Sequence, residues 1–376
     1  MKPTLPAIVM DARMLGGAIS GVATFAASLR GALDAVRAPP LLLDAKPGRE
    51  SRVARWMHAA WPGSRRLHYH ATEGVLLGRT GLFREAQIYF NIHKRPMAVE
   101  TDQPPGIMHW TYPLPIYFKG WTNLYTVHDA IPMTAPHLTD INGDRHRGLL
   151  NALLDAGGRL LTVSHASQRE IADSLALNPA DIEVCWQGVG TKPALHSGVT
   201  KRDYFLFCGT LEARKNIAGM VTAHKRSGTA LPLLLAGNVG TKDADIAAAL
   251  ANNPSAHYIG AQERAKLERL IAGARALLFV SHAEGFGLPI VEAQLLGTPV
   301  LTSNQGAQAE VAGDAALQVD PRDISAMADA IHRLAVDSQL GIRLREAGLE
   351  RSVAFTLPAF GARLENIYRR LNWTGA

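Results

Sequence analysis

Two carboxylates bracket a glycine-rich stretch in the string Glu284-Gly-Phe-Gly-Leu-Pro-Ile-Val-Glu292. The string follows an apolar run and leads into a helical pattern, so it predicts a strand, a loop and a helix N-terminus in that order. Glycines allow close backbone approach, and free helix N-terminal amides attract phosphate, so Gly285 and Gly287 suit a diphosphate. Glu292 suits ribose hydroxyls and Glu284 a transferred sugar. The alternative is that both acids only favour the helix N-terminus electrostatically.

A basic pair lies at a second predicted junction between a strand and a helix. Arg214 and Lys215 follow an apolar run that ends at Gly209. Doubly wound sheets bind ligands at the carboxyl edge of their strands, where both cations are expected. An arginine fork and a lysine point charge would together neutralise a leaving diphosphate without a metal ion. The alternative is a solvated basic pair.

Three further positions follow predicted strands. His128 is expected to hydrogen-bond a sugar or an acceptor, or else to be a buried histidine bonded to a backbone carbonyl. Gly16 and Gly17 would direct backbone amides toward a diphosphate, or would only form a turn. Ser164 would cap a helix.

The elements that must position these residues alternate along the chain. Short apolar runs alternate with helical patterns, which is typical of parallel sheets with crossover helices. The runs are residues 7–10, 124–127, 160–163, 204–208, 232–236, 276–280 and 299–302. A length of 376 residues indicates two domains. We expect a first domain over 1–197, a second domain over 198–355, and a terminal helix over 356–376.

Composition excludes several classes of protein. Hydrophobic residues make up 47% and charged residues 19%, which indicates a folded chain. No window reaches the roughly 20 apolar residues that span a bilayer, and the first residues predict a strand instead of a signal peptide. Cys185 and Cys208 lack metal-ligand spacing and cannot form a disulfide framework. We therefore expect a cytoplasmic protein without a bound metal.

The net charge of +6 is concentrated in residues 46–95, which contain ten basic and three acidic residues. The same segment contains Trp56, Trp61 and Tyr69, whose rings favour a membrane interface. We expect this segment to contact anionic lipid at the inner face of the cytoplasmic membrane. The alternative is a solvated basic face. No recognition motif supports nucleic acid as a partner.

Residues 204 to about 335 resemble the donor domain of the family 4 retaining glycosyltransferases. The resemblance rests on Gly209-Thr-Leu-Glu-Ala-Arg-Lys-Asn216, Glu284-x7-Glu292, Ala236-Gly237, Tyr258-Ile-Gly260 and Ala312-Gly313-Asp314. A looser likeness in the first half rests on Asp11 with Gly16-Gly17, on Gly21-Val22 and on Thr126-Val-His-Asp-Ala-Ile-Pro132. Ser164-His165 is similar to another family position, which helix capping by Ser164 explains equally well. Two departures concern the first-half contacts: Ala-Thr-Phe follows Gly21-Val22 where many relatives carry an arginine and a tyrosine, and Glu310 lacks its usual preceding proline.

The resemblance implies an α/β protein of the GT-B type, with two facing, doubly wound Rossmann-like domains and a deep cleft between them. It implies that the first domain, 1–197, binds the acceptor, that the second, 198–355, binds the nucleotide-sugar, and that the helix over 356–376 packs back toward the first domain. It implies catalytic roles for Glu284, His128, Arg214 and Lys215. The donor-binding residues that it implies are Gly16, Gly17, Gly209, Arg214, Lys215, Gly285, Phe286, Gly287, Leu288 and Glu292. No metal or other cofactor is expected, because the cations would stabilise the leaving phosphate in a front-face reaction that retains configuration.

The implied reaction moves a sugar from a nucleotide-sugar to a saccharide acceptor. GDP-mannose is the preferred donor, because the likeness is strongest to bacterial mannosyltransferases of surface-polysaccharide synthesis; UDP-sugars and dTDP-rhamnose remain alternatives. The basic segment favours an acceptor linked to a lipid diphosphate. Rival functions are a sugar-nucleotide epimerase of the same fold and a non-catalytic sugar-nucleotide-binding subunit. The aromatic stretch 109–118 would either stack on sugar rings or pack in the core.

Overall fold

The computed structural model describes residues 8–15, 20–46, 50–70, 74–190, 203–240 and 244–372, so the expected domain boundary near residue 198 lies outside the described residues. The strands are β1 (Ile8–Asp11), β2 (Leu41–Ala45), β3 (Arg65–Arg66), β4 (His68–His70), β5 (Val75–Gly78), β6 (Met97–Glu100), β7 (Ile107–Trp110), β8 (Ile116–Phe118), β9 (Thr122–Thr126), β10 (Arg159–Thr162), β11 (Ile182–Val184), β12 (Phe205–Cys208), β13 (Leu233–Ala236), β14 (Ala256–Gly260), β15 (Ala276–Phe279), β16 (Val300–Ser303) and β17 (Leu317–Val319). The helices are α1 (Gly21–Ala35), α2 (Arg52–Ala60), α3 (Leu82–His93), α4 (Ile131–Thr134), α5 (Gly143–Asp155), α6 (His165–Leu175), α7 (Ile217–Arg226), α8 (Ala244–Asn252), α9 (Arg264–Gly273), α10 (Leu288–Leu295), α11 (Gly306–Ala312), α12 (Ile324–Val336), α13 (Ser338–Ser352) and α14 (Leu357–Asn372). Among these described helices, none is long and apolar enough to cross a membrane.

The second domain is built on a six-stranded parallel sheet in the order β14-β13-β12-β15-β16-β17. Counted from β12, this is the 3-2-1-4-5-6 order of doubly wound nucleotide-binding folds. Every residue of β12 and β15 is buried, since helices cover both faces of such a sheet. The strand order reverses between these two strands, so the ligand-binding crevice is expected at their carboxyl ends.

The first domain is built on an eight-stranded sheet in the order β11-β10-β9-β7-β1-β2-β5-β4. All of its neighbouring strands are parallel except β4, which runs antiparallel to β5. Its order reverses between β1 and β7, where the Thr111 amide donates a hydrogen bond to Asp11 Oδ2 at 2.6 Å. A separate parallel sheet contains β3, β6 and β8. With its two doubly wound sheets, the chain has the GT-B architecture.

The aromatic stretch 109–118 contributes to the core of the first domain. Trp110 and Phe118 are buried, and the Trp110 ring stacks on Tyr125 with ring centroids 5.9 Å apart. Trp110 Nε1 donates a hydrogen bond to Asn123 Oδ1 at 3.2 Å, which satisfies its polar end. Of the two alternatives left open by the sequence, the core location is therefore the one observed for these rings.

The long helix α14 packs against α1 of the first domain. Phe360 and Tyr368 are buried, and the Tyr368 hydroxyl forms a 2.6 Å hydrogen bond with Nδ1 of His109. Burial lowers the pKa of His109 to about 3, so the ring is neutral at physiological pH. A Cβ atom at Gly361 would lie 2.4 Å from the carbonyl oxygen of Ala32, so only glycine permits this close approach of the two helices.

Candidate active site

A cavity of about 460 Å³ is lined by residues of both domains. The second domain contributes residues that follow β12, β13, β14 and β15, which places the cavity at the reversal point of its sheet. The first domain contributes the start of α1, with Ser20, Gly21 and Thr24, and the residues that follow β9. This is the position at which an open α/β sheet binds a nucleotide.

Arg214, Lys215 and Glu284 form a charged cluster on the second-domain wall of this cavity. Lys215 Nζ donates to Glu284 Oε1 at 2.5 Å, and Arg214 Nη1 donates to Glu284 Oε2 at 2.9 Å. Arg214 Nη2 also donates to Glu212 at 2.7 Å. A tight turn carries the two cations and ends at Asn216, which has a left-handed φ of 55°. The turn and Glu284 therefore fix both cations at the crevice.

The charge state of Glu284 depends on two opposed effects. Burial alone would raise its pKa, but the charges of Lys215 and Arg214 outweigh burial and lower the pKa. The carboxylate is therefore ionised at neutral pH and neutralises part of the positive charge of its two partners. A diphosphate that enters the cluster would compete with this carboxylate for the same donors.

Glu292 lies in α10 and is also buried, but it has a different cation as its partner. Arg264 Nη1, at the start of α9, donates to Glu292 Oε1 at 2.7 Å. Burial raises the pKa of Glu292 in spite of the opposing charge of Arg264. Sequence reasoning did not identify Arg264, although it follows Tyr258-Ile-Gly260 and β14, at the carboxyl edge where cavity residues are expected.

The glycine loop closes the cavity beneath these two acids. Gly287 has a φ of 102°, a conformation that favours glycine, and it precedes the first turn of α10 at Leu288. A Cβ atom at Gly285 would lie 2.1 Å from the carbonyl oxygen of His128, so the two domains touch here through backbone atoms. Phe286 is buried, and its ring meets Phe355 edge to face at 5.8 Å.

His128 lines the cavity from the first domain. Its Nε2–H group donates to the carbonyl oxygen of Thr111 at 2.9 Å, and its ring packs edge to face on Phe25. Burial lowers its pKa, against the smaller effects of the Thr111 bond and of Asp129. The ring is therefore neutral, with one nitrogen held by the backbone, while the residue still lines the cavity.

Comparison with known proteins decides the family. A family model described as Glycosyl transferases group 1 matches residues 195–351. The O-antigen chain mannosyltransferase B of Escherichia coli is 31% identical over 272 residues, which cover 65% of this chain and 70% of that protein. The chain belongs to the group 1 glycosyl transferases.

Other similar proteins agree with this assignment. The O-antigen chain mannosyltransferase RfbU of Salmonella typhimurium is 27% identical to this glycosyltransferase over 214 residues, which cover 56% of the chain and 60% of the relative. The solved sucrose-phosphate synthase of Thermosynechococcus elongatus superposes with a TM-score of 0.66 at 18% identity, over 98% of this chain and 99% of that one. At that identity the superposition shows a shared fold.

Glu310 joins the two domains of the glycosyltransferase. Its carboxylate accepts hydrogen bonds from the amides of His165 and Ala166, at the N-terminus of α6, at 2.8 Å each. Trp186 Nε1 donates to the same carboxylate at 2.7 Å. Next to this contact, Ser164 caps α6 as predicted and donates to the carbonyl oxygen of Gly285 at 2.9 Å. Sequence reasoning had noted Glu310 only for its missing proline.

The structure brings most of the predicted site residues into one cavity. The predicted residues that line the cavity are His128, Gly209, Arg214, Lys215, Glu284, Gly285, Phe286, Gly287, Leu288 and Glu292. Gly16 and Gly17 lie outside the described residues. Lining residues that the sequence did not single out include Asn238, Gln262 and Arg264, which follow β13 and β14. Within the described ranges, no group of three or more histidine, cysteine or acidic residues is placed to hold a metal ion.

Proposed function

We propose that this glycosyltransferase transfers mannose from GDP-mannose to a lipid-diphosphate-linked saccharide, with retention of configuration, in the synthesis of O-antigen or a related surface polysaccharide. The observation that carries the proposal is the cluster of Arg214, Lys215 and Glu284 at the reversal point of the second sheet. The choice of mannose is supported by the similarity to O-antigen mannosyltransferases.

In this proposal the donor lies across the cavity with its diphosphate on Arg214 and Lys215. The Leu288 amide, at the first position of α10, would face the diphosphate, since Pro289 has no N–H group and the Ile290 amide donates to the Gly287 carbonyl. Glu292 would use its second oxygen to accept hydrogen bonds from ribose, while Arg264 holds the first. Diphosphate binding would free Glu284 from its cations, so that its carboxylate orients the mannose hydroxyls. The second domain, over 198–355, would thus hold the donor.

The proposed reaction takes place on one face of the sugar. The bond between the anomeric carbon and the phosphate oxygen breaks, and its electron pair stays on the leaving phosphate. The acceptor hydroxyl forms the new bond from the same face and gives its proton to a leaving phosphate oxygen. Arg214 and Lys215 stabilise the charge that develops on the phosphate, so the proposal includes no metal and no cofactor. His128 would contact the sugar or the acceptor from the first domain.

The acceptor would bind over residues 1–197, and closure of the two domains would exclude water from the reaction. A lipid-linked acceptor implies that the protein works at the inner face of the cytoplasmic membrane, and we assign that contact to residues 46–95, whose excess of basic residues attracts anionic lipid.

Calorimetric titration with GDP, UDP and dTDP in the presence of a chelator tests the donor class. We expect GDP to bind most tightly and Arg214→Ala with Lys215→Ala to abolish that binding. Lys225→Ala with Arg226→Ala is the matched control, because it removes an exposed basic pair at the end of α7. Tighter binding of UDP or dTDP, or no binding at all, would contradict the proposal.

Transfer from radiolabelled GDP-mannose, with and without a saccharide acceptor, tests the reaction. We expect labelled product only with acceptor, and an α-linkage when the donor is α-linked. A change of the donor sugar that needs no acceptor, with release of free nucleotide, would instead indicate an epimerase.

A further inference from the structure

Helix α2 directs its large apolar side chains toward solvent. Val53, Trp56 and Met57 occupy positions i, i+3 and i+4, which lie on one face of a helix. They are 69%, 58% and 65% exposed, and Trp61, just after the helix, is 69% exposed. We call these four residues the apolar face. A surface helix of a water-soluble domain normally turns such a stripe inward, so this arrangement indicates a partner.

Polar contacts hold α2 with its large apolar side chains toward solvent. The inner side of the helix contributes the small residue Ala59 to the core, and Glu50 pairs with Arg55 and His58. At the end of the helix, Arg65 donates to the carbonyl oxygen of His58 at 2.6 Å and forms a buried ion pair with Glu85. Turning the tryptophans inward would break these contacts. The fold therefore fixes the apolar face outward.

The charges around the apolar face select the class of partner. Arg52, Arg84 and Lys94 are exposed within the segment that carries the excess positive charge, and α3, which contains Arg84 and is followed by Lys94, packs on α2. Arg66 is also exposed but pairs with Asp102 at 2.7 Å. Tryptophan beside arginine and lysine suits the interface of a bilayer, with rings at the depth of the headgroups and cations on anionic lipid. A two-fold symmetric contact with a second copy would instead place the basic residues of one copy against the same basic residues of the other, which would repel each other.

The position of α2 relative to the cleft agrees with a lipid-linked acceptor. A second cavity lies between α2 and the loops that follow β1 and β5, and it is lined by Arg13, Arg55 and Arg84. These loops leave the carboxyl ends of parallel strands, which is the edge of the first sheet that faces the active-site cavity. A bilayer in contact with α2 would therefore lie beside the route by which an acceptor enters.

We propose that the apolar face of α2 inserts into the interfacial region of an anionic bilayer and docks the enzyme there, with Arg52 and Lys94 on the lipid headgroups. The inference rests on the proposed function in one respect, since it gives the lipid-linked acceptor its location. Insertion of apolar side chains distinguishes it from simple attraction of a basic surface, because insertion persists at high salt while attraction between exposed charges is screened.

Vesicle flotation of the full-length protein tests the inference. We expect binding to vesicles of phosphatidylcholine with phosphatidylglycerol, and much weaker binding to phosphatidylcholine alone. Serine at all four positions of the apolar face should weaken binding by about a hundredfold or more. Arg52→Gln with Lys94→Gln should weaken it by about thirtyfold at low salt. Val336→Ser with Val353→Ser, at equally exposed apolar sites of the second domain, should leave it unchanged.

A second measurement locates the tryptophans. Brominated lipid quenches tryptophans that enter the bilayer, so quenching should occur in the wild type and be lost in Trp56→Ser with Trp61→Ser. The buried Trp110 should remain unquenched in both proteins. Absence of wild-type binding to either vesicle, or equal binding by the four-serine variant, would overturn the inference. It would also be overturned if the wild type were a dimer that the four serines dissociate.

The outcome is separable from that of the proposed function. The four-serine variant should bind GDP with wild-type affinity and should transfer mannose to a water-soluble acceptor at the wild-type rate, which also shows that it is folded. If neither the wild type nor any variant transferred mannose, the proposed function would be contradicted. Vesicle binding by the wild type, and its loss in the four-serine variant, would still test the membrane contact independently.

Discussion

Replacing Glu284 with glutamine tests whether its charge restrains the two cations to which we assign the donor diphosphate. This ionised carboxylate contacts both Lys215 and Arg214. Glutamine keeps the shape of the side chain but presents an NH₂ group to one of the cations. We expect a less stable free protein, tighter binding of free GDP and a lower turnover number.

The magnitude of each effect follows from the burial of the cluster. Glu284 is only 8% exposed, and breaking a buried ion pair costs about 3–5 kcal/mol. Arg214 keeps Glu212 as a partner at 2.7 Å, so we expect the loss to lie at about 3 kcal/mol, or a melting temperature lowered by about 6–12 °C. Removing one negative charge beside the diphosphate should tighten GDP binding by about tenfold, or 1.4 kcal/mol. Loss of the sugar contact should lower kcat by about a hundredfold.

Three measurements on the same preparation check these values. Calorimetric scanning without nucleotide reports stability, titration with GDP reports affinity, and steady-state transfer from GDP-mannose reports kcat. Glu212→Gln is the control, because the carboxylate of Glu212 pairs with one of the two cations, Arg214, and its replacement should change all three quantities less. An unchanged melting temperature, or a GDP affinity that falls in parallel with kcat, would refute the reasoning.

Three further predictions concern other acids and one histidine. Glu292→Gln should weaken GDP binding by about tenfold with a smaller effect on kcat, and equal losses in titration and kinetics would contradict a ribose contact. Glu310→Gln should destabilise the protein by about 2 kcal/mol, because the α6 amides and Trp186 lose a charged acceptor. It should also increase donor hydrolysis without acceptor; wild-type melting and hydrolysis would contradict its bridging role. His109 is buried in its neutral form, with a pKa lowered to about 3. Its protonation therefore costs more in the folded state than in the unfolded state, and the free energy of unfolding falls as the pH drops below about 6.5. Asp11, whose burial raises its pKa to about 6, acts in the opposite sense, since its penalty grows as the pH rises from about 4 to 6. Asp11→Asn should therefore steepen the loss of unfolding free energy between pH 6 and 4 by up to about 1.4 kcal/mol per pH unit in urea titrations, and equal slopes would contradict the assignment.

Much of the sheet framework could be predicted from apolar runs. The runs at 204–208 and 276–280 correspond to β12 and β15 within one residue, because a strand buried on both faces must be continuously apolar. Strands β3 and β4 could not be found this way. They consist of Arg65–Arg66 and His68–His70, and they exist because β6 and β5 offer backbone partners to them. That pairing depends on distant residues and leaves no local pattern.

One geometric rule predicts which residues meet at the site, but it does not predict which cation pairs with which acid. The carboxyl ends of parallel strands share an edge, so residues after β12 and β15 had to meet, as Arg214 and Glu284 do. Which cation each acid binds depends on the orientation of whole helices. Arg264 reaches Glu292 because α9 begins beside α10, and Glu310 reaches α6 across two domains. Sequence spacing carries no information on such contacts.

The packing of α14 on α1 has a consequence for the order in which the enzyme is assembled. His109 and its partner Tyr368 are 259 residues apart, and the entire second sheet lies between them in the chain. During translation, the second domain is therefore synthesised before α14, the helix that covers α1 of the first domain. Until α14 emerges, Phe25 and its neighbours form an open apolar surface. The second domain is in effect an insertion within the first, and its synthesis time sets how long the nascent chain needs protection from aggregation.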